Sequence, residues 1–458
     1  MVRLFSIFVL FLVVSNSNVL RGQTLDSYFE SRVNAIEQAT SQDFAAVTKE
    51  NWPATKAVWR GELREMLGIP EELEKTELKV QSTGRLELEG VTVEKLHYQS
   101  RPGLYVAANL YLPKTAAPKS GYPAVLYVCG HARSTNFGRL MGNKTGYQHH
   151  GLWFARHGFV CLMIDTVQLG EFHGEHHGTY KLGRWDWMTK GYTPAGVEAW
   201  NAIRGVDLLN ELPYVDATKI GITGRSGGGA YSWFAAALDE RIQVAIPVAG
   251  ITDLRNHVVD GCVEGHCDCM YFVNYFGWDY GKLAALIAPR PLLLENSDSD
   301  RIFPLDGVVR IDGQLRELYA KLEASENYGL VITPGPHKDT QDLRVPAFRF
   351  LMKHLQGNND PIVDTPSLKR MNQLALKTSY VVVVGPMTCP HQQLKNVFKK
   401  LKACTNFGEL YVGRRELMNQ MHPRSSHPKK VNDADAGIGF RATRCSPSGP
   451  SKARSLLG

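Results

Sequence analysis

The chain has 458 residues, 43% of them hydrophobic and 21% charged, with a formal net charge of +7. That length holds one large catalytic domain with extensions, or two to three small ones, and the composition is that of an ordinary soluble globular protein. The positive excess gathers in the last third, in pairs such as Lys399-Lys400 and Lys429-Lys430, with no basic and aromatic stripe, so a nucleic-acid partner is not expected.

Met1-Val2-Arg3 leads into an apolar run from Leu4 to Val14 and then the small, polar Ser15-Asn16-Ser17-Asn18. One positive charge, a run too short to span a bilayer and small residues after it describe a secretory signal over 1–22, cleaved after Ser17 or Gly22. An uncleaved anchor is the alternative. No later segment reads as long and apolar enough to span, so the expectation is a secreted or periplasmic protein with no membrane partner after cleavage. Eight cysteines fit export without implying a disulfide scaffold.

Residues 23–110 read as polar helices from Thr24 to Leu67, stopped at Gly68-Ile69-Pro70, followed by leading strands at Leu78–Leu88, Val91–Tyr98 and Leu104–Leu112. Arg101-Pro102-Gly103 between the last two is a hairpin signal. Across 111–360 short apolar strands alternate with helices: Ala124–Cys129, Phe159–Ile164, Ile220–Thr223, Val244–Val248, Leu292–Leu294 and Leu330–Ile332. Their near-continuous apolar character predicts burial on both faces of a mostly parallel sheet, an α/β fold with helices on both sides. Cys129 and Cys161 fall inside these strands as core thiols. Thr193-Pro194 caps one helix, and Pro346 is expected to start the last, which ends at Gly357. Beyond residue 361 the pattern degrades into an extension expected to be partly disordered.

The organising stretch is Ile220-Gly-Ile-Thr-Gly-Arg-Ser-Gly-Gly-Gly-Ala230. A strand stops at Thr223, turns through Gly224-x-Ser226-x-Gly228 and runs into a helix, the pattern of a nucleophile elbow. Such a turn projects the serine hydroxyl from the end of the sheet, and the helix N-terminus below it favours a developing oxyanion. A serine hydroxyl needs a base, usually an imidazole held by a carboxylate. The chain order serine, acid, histidine puts the base at His337, in the loop after the last strand, with His354 the weaker candidate. Asp300 stands four residues before Pro304, which resembles the Asp-x-x-x-Pro loop of many hydrolases, and by that analogy it is the expected acid, with Asp298 as the alternative. Gly227 and His131 supply the two oxyanion N–H donors, the second from the Gly130-His131 loop after a core strand, although the His131 ring has the option of facing substrate. Arg225 and Trp187 are candidate substrate contacts.

Five segments carry a family resemblance: Ala108-Asn-Leu-Tyr-Leu-Pro113, Cys129-Gly-His131, Gly191-Tyr-Thr-Pro-Ala-Gly-Val-Glu-Ala-Trp200, Gly224-Arg-Ser-Gly-Gly-Gly-Ala230 and Ala288-Pro-Arg-Pro-Leu-Leu293. Over about Trp59 to Leu355 the chain resembles secreted bacterial α/β-hydrolases of the acetyl-xylan-esterase-like group. The resemblance implies a serine esterase acting on acylated carbohydrate, with Ser226, Asp300 and His337 at the matching motif positions and no cofactor. A serine peptidase or lactone hydrolase of the same fold, and a non-catalytic carbohydrate- or metal-binding protein, are the competing readings.

Other constellations have plainer interpretations. Cys262, His266, Cys267 and Cys269 offer zinc-type ligands, but without paired C-x-x-C halves a disulfide or packed loop is favoured over a metal. His173, His176 and His177 are expected to line a pocket or face solvent, so no metal is assigned. Trp153, Trp185, Trp187, Tyr192, Tyr271 and Tyr275 make either a sugar-stacking platform or a small loop core. Asn143-Lys144-Thr145 matches a glycosylation sequon.

Overall fold

The computed structural model describes residues 24–364, except 71, 72, 74, 133, 134, 137, 138, 168, 173, 192 and 263–266. The expected signal segment and nearly all of the expected extension lie outside the described residues.

Two helices come first, α1 (Leu25–Ala46) and α2 (Trp52–Leu67). Thr24 caps α1, its Oγ1 accepting from Ser27 N at 3.2 Å. α2 ends where expected, on Gly68 at φ +70°, a left-handed turn that glycine adopts without strain. Three antiparallel strands follow, β1 (Gln81–Leu88), β2 (Val91–Arg101) and β3 (Leu104–Pro113).

Then come β4 (Tyr122–Val128), β5 (Val160–Ile164), β6 (Val215–Arg225), β7 (Ile242–Val248), β8 (Leu292–Ser297) and β9 (Tyr328–Thr333), whose pairings with one another are parallel. The nine strands form one sheet in the order β1-β2-β3-β5-β4-β6-β7-β8-β9.

Alternate residues of the central strands enter separate cores. Ala124, Leu126 and Val128 join the cluster on one face, and Val125, Tyr127 and Cys129 join the other. Helices α2, α4 (Pro194–Glu211), α5 (Gly227–Leu238) and α6 (Leu305–Lys321) supply Leu63, Ile203, Phe234 and Leu315 to the first core. Helices α3 (Gln148–Arg156) and α7 (Gln341–Leu351) supply Phe154 and Phe348 to the second. Each such buried side chain contributes about 1.5–3 kcal/mol of transfer free energy. This is the α/β-hydrolase arrangement, a mostly parallel sheet covered on both faces.

The last helix departs from expectation. α7 begins at Gln341, with Pro346 inside it, and a π-type turn (Met352–Gln356) carries it to Gly357. Proline deletes only the bond to the carbonyl four residues back, near the helix start, and Leu343, Phe348 and Leu351 buried on the sheet hold the rest.

Candidate active site

The carboxyl ends of β4, β6, β7, β8 and β9 meet at one edge, as parallel pairing requires. Ser226 follows β6 there and precedes α5, with φ +61° and ψ −122°. That backbone is costly for a non-glycine residue and is held from both sides: Ser226 N donates to Val248 O at 2.9 Å, and Ser226 O accepts from Ala230 N at 3.0 Å. The flanking glycines serve close approach. A Cβ at Gly224 would stand 2.2 Å from Val128 O, and one at Gly228 2.1 Å from the same oxygen. Any side chain there would push β4, β6 and α5 apart.

His337 lies past the end of β9, and its Nδ1 is 2.6 Å from Asp300 Oδ2. The other carboxylate oxygen of Asp300 accepts from Ile302 N at 2.9 Å and Phe303 N at 3.1 Å. The Asp300 side chain is wholly buried behind the ring. Asp298 is exposed and does different work: its Oδ1 accepts from Gly335 N at 2.9 Å, tying the β8 loop to the loop that carries His337. The Gly335 amide holds the Asp298 carboxyl below its usual range. His354 lies at the far end of the α7 segment and does not line the cavity.

Ser226 and His337 both line a cavity of about 630 Å³, together with His131, Tyr147, His176 and Arg225. The His131 ring rests on the elbow, where a Cβ at Gly227 would meet it at 2.6 Å, and its Nε2 is 3.1 Å from Tyr231 Oη. The Gly130 carbonyl accepts from Asn143 Nδ2 at 2.7 Å and from Ala132 N at 2.9 Å. A trans peptide points N–H opposite to C=O, so Asn143 dictates which way the His131 amide faces.

Residues 49–254 match the family model of the acetyl xylan esterases, a span that holds the Gly130-His131 loop and the Ser226 elbow and stops before Asp300 and His337. This stretch is acetyl-xylan-esterase-like. Among curated relatives, the chain is 28% identical over 200 residues to the putative hydrolase YtaP of Bacillus subtilis, covering 43% of this chain and 66% of that protein. It is 29% identical over 241 residues to a 4-O-methyl-glucuronoyl methylesterase of Phanerochaete carnosa, covering 45% and 58%. The chain thus spans less than two thirds of either relative. Among solved structures, Methylesterase BT1017 superposes with a TM-score of 0.57 at 21% identity, over 78% of this chain and 74% of that one. A glucuronoyl esterase from Solibacter usitatus gives a TM-score of 0.54 at 16% identity, over 67% and 94%. These two likenesses establish the α/β-hydrolase fold, and the family match adds carboxylic-ester hydrolysis as the chemistry of its members.

Several expectations need correction. Trp187 is fully buried, packed on Gly178 in a small cluster with Leu104 and Val197, and so presents no face to a substrate. Trp153 is also core, stacked between His157 and Phe348 at centroid distances of 3.8 and 4.2 Å. Trp185 and Tyr275 are exposed, but neither lines the cavity, and Tyr192 lies outside the described residues. The sequon is buried: Asn143 has 0% exposure and bonds Gly130 and Thr166, which leaves no room for a glycan.

Cys262 lines the cavity as a free thiol, and burial pushes it up to about 12. Cys267 Sγ is 3.5 Å from His176 Nδ1. His173, His266 and the Cys269 side chain lie outside the described residues. Cys129 and Cys161 are core thiols as expected, raised by burial.

Sequence reasoning missed the polar frame beneath the site. Lys144, fully buried, pairs with Asp165 at 2.7 Å and Glu171 at 2.5 Å, fixing the loop that carries Asn143. His149 and His150 both place Nε2 3.1 Å from Asp339 Oδ2, while Arg344 Nε donates to Oδ1 at 2.9 Å. This trio has metal-ligand spacing, but its carboxylate is already satisfied by three N–H groups. Burial and the two imidazoles act oppositely on Asp339, and the imidazoles with Arg344 prevail, holding it far below the carboxylate range. Asp339 stands two residues after His337, so the cluster anchors that loop. The adjacent pair His149-His150 was the available signal, but its partner is remote in sequence.

Proposed function

We propose that this protein is a serine esterase that removes acetyl or other acyl groups from carbohydrate, exported under the direction of residues 1–22. Ser226 Oγ attacks the ester carbonyl while His337 takes its proton. Asp300, bonded to the opposite ring nitrogen, holds the tautomer that leaves Nε2 free to accept, and stabilises the imidazolium that forms. The amides of Gly227 and His131 hold the oxyanion. The imidazolium then gives its proton to the departing sugar hydroxyl, leaving an acyl-serine. Water, deprotonated by His337, attacks that ester, releases the carboxylic acid and restores the serine.

The observation that carries this reading is the 2.6 Å His337–Asp300 contact beside a cavity that also exposes Ser226 in a strained elbow. The test is acetate release from acetylated xylan. Ser226→Ala should lower kcat by a factor on the order of 10⁴ or more. Release at the wild-type rate by the folded variant contradicts the serine mechanism.

A further inference from the structure

His131 is held through both its main chain and its ring, and the two routes start from one loop. Thr166 N and Val167 N, consecutive amides after β5, donate to Asn143 Oδ1 at 3.1 Å and Glu198 Oε1 at 2.7 Å. Asn143 passes the constraint to the Gly130 carbonyl. Glu198, on α4, hydrogen-bonds the side chain of Tyr231, on α5, and Tyr231 Oη lies 3.1 Å from His131 Nε2. The ring so anchored rests against Gly227, the other residue of the oxyanion site.

Glu198 and Tyr231 take no part in the triad chemistry, yet both are buried, at 3% and 1% exposure. Glu198 falls within the Gly191-to-Trp200 segment, which the triad leaves without a role. A phenol hydroxyl has one proton to give, so between two partners it donates to one and accepts from the other. The three side chains therefore form an unbroken polar thread from α4 through α5 to the elbow. Burial pushes Glu198 well above the carboxylate range, with Val167 and Tyr231 opposing it, so glutamine is a close substitute for it. Two amides that share one oxyanion must both reach it at about 2.7–3.1 Å, which a loop able to turn about its own bonds does not guarantee.

We propose that Glu198 and Tyr231 are positioning residues of the oxyanion site, which fix the His131 ring on the elbow and so set the His131 amide relative to that of Gly227. This rests on the serine-esterase reading and extends it to two residues outside the triad.

The experiment measures kcat and KM on an aryl acetate, with thermal melts, for Tyr231→Phe, Glu198→Met, Glu198→Gln and the double variant Tyr231→Phe/Glu198→Met. Tyr231→Phe removes one hydroxyl and should lower kcat by about 10- to 100-fold with KM changed less than about threefold, since the oxyanion forms only along the reaction path. Glu198→Met should lose as much, and Glu198→Gln should recover most of that loss. The double variant should be no worse than either single one, because residues that act as a unit are not additive. Wild-type kcat in Tyr231→Phe, a loss confined to KM, or losses that multiply in the double variant overturns the proposal. If Glu198→Met does not fold, Tyr231→Phe alone decides, because it leaves the buried ring in place.

The rate at which a fluorophosphonate labels Ser226 needs the oxyanion site but no ester substrate. A wild type that cleaves no ester, with labelling slowed in Tyr231→Phe, would support the positioning role while the esterase reading fails. Equal labelling rates in the wild type and Tyr231→Phe overturn the role even where esters are cleaved.

Discussion

His337 Nδ1 stands 2.6 Å from one oxygen of Asp300, while the other oxygen of that carboxylate accepts the Ile302 and Phe303 amides. The carboxylate is thus aimed by its own loop before the histidine arrives. Asp298, two residues earlier, spends its oxygen on Gly335 instead.

The two acids should therefore separate on mutation. Asp300→Asn removes the acceptor that selects the His337 tautomer, and kcat should fall by about 10³–10⁴. Asp298→Asn weakens one exposed loop bond and should cost less than about tenfold. Steady-state kinetics on an aryl acetate checks both, and equal losses would contradict the assignment.

Asn143 orients the peptide that presents the His131 amide, through its 2.7 Å bond to Gly130 O. Asn143→Ala should lower kcat by about 10- to 100-fold with a smaller change in KM, because the oxyanion forms only along the reaction path. A variant with lower Tm and unchanged kcat would show a purely structural role.

Neighbouring glycines of the elbow should respond differently. A Cβ at Gly228 meets the Val128 carbonyl at 2.1 Å, a fixed backbone atom, whereas one at Gly227 meets the His131 ring at 2.6 Å. Gly228→Ala should cost several kcal/mol of stability or prevent folding. Gly227→Ala should fold, displace the ring and lose activity. Thermal melts paired with kinetics distinguish the outcomes, and a fully active Gly227→Ala would remove the His131 loop from the mechanism.

The anchor behind His337 should make stability depend on pH. Burial, opposed by Asp339, pulls His150 down from 6.5 to about 4. Between those values the unfolded chain binds a proton that the folded chain refuses, so this contribution is complete above pH 6.5 and fades as pH falls toward 4. Urea unfolding at pH 7 and 4.5 should show a smaller drop for His150→Gln than for the wild type. An equal drop would mean that His150 does not carry the effect.

Much of this architecture is legible along the chain because its signals are local. Strands β4 to β9 are apolar runs that need burial on both faces, and the elbow is a contiguous motif whose glycines answer to a steric limit. Chain order points to His337 as the first histidine after the last strand, whereas the choice of Asp300 over Asp298 rests on a resemblance to the Asp-x-x-x-Pro loop. What sequence could not supply depends on partners far away in the chain. Asn143 reads as part of a glycosylation sequon until Gly130 and Thr166 are seen around it. Trp187 reads as a loop aromatic, but Gly178 gives it a slot in which its whole ring is buried. Pro346 reads as a helix start because a local rule cannot weigh the apolar face of α7 against the sheet.

The central claim is that Ser226 is the activated nucleophile. A fluorophosphonate reacts only with a serine whose base and oxyanion site are assembled, so mapping the labelled peptide by mass spectrometry tests the whole constellation at once. The account predicts a single phosphonylated residue, Ser226, with labelling abolished in Ser226→Ala and strongly slowed in His337→Ala. Modification at a different serine, or none while esters are still cleaved, would contradict it.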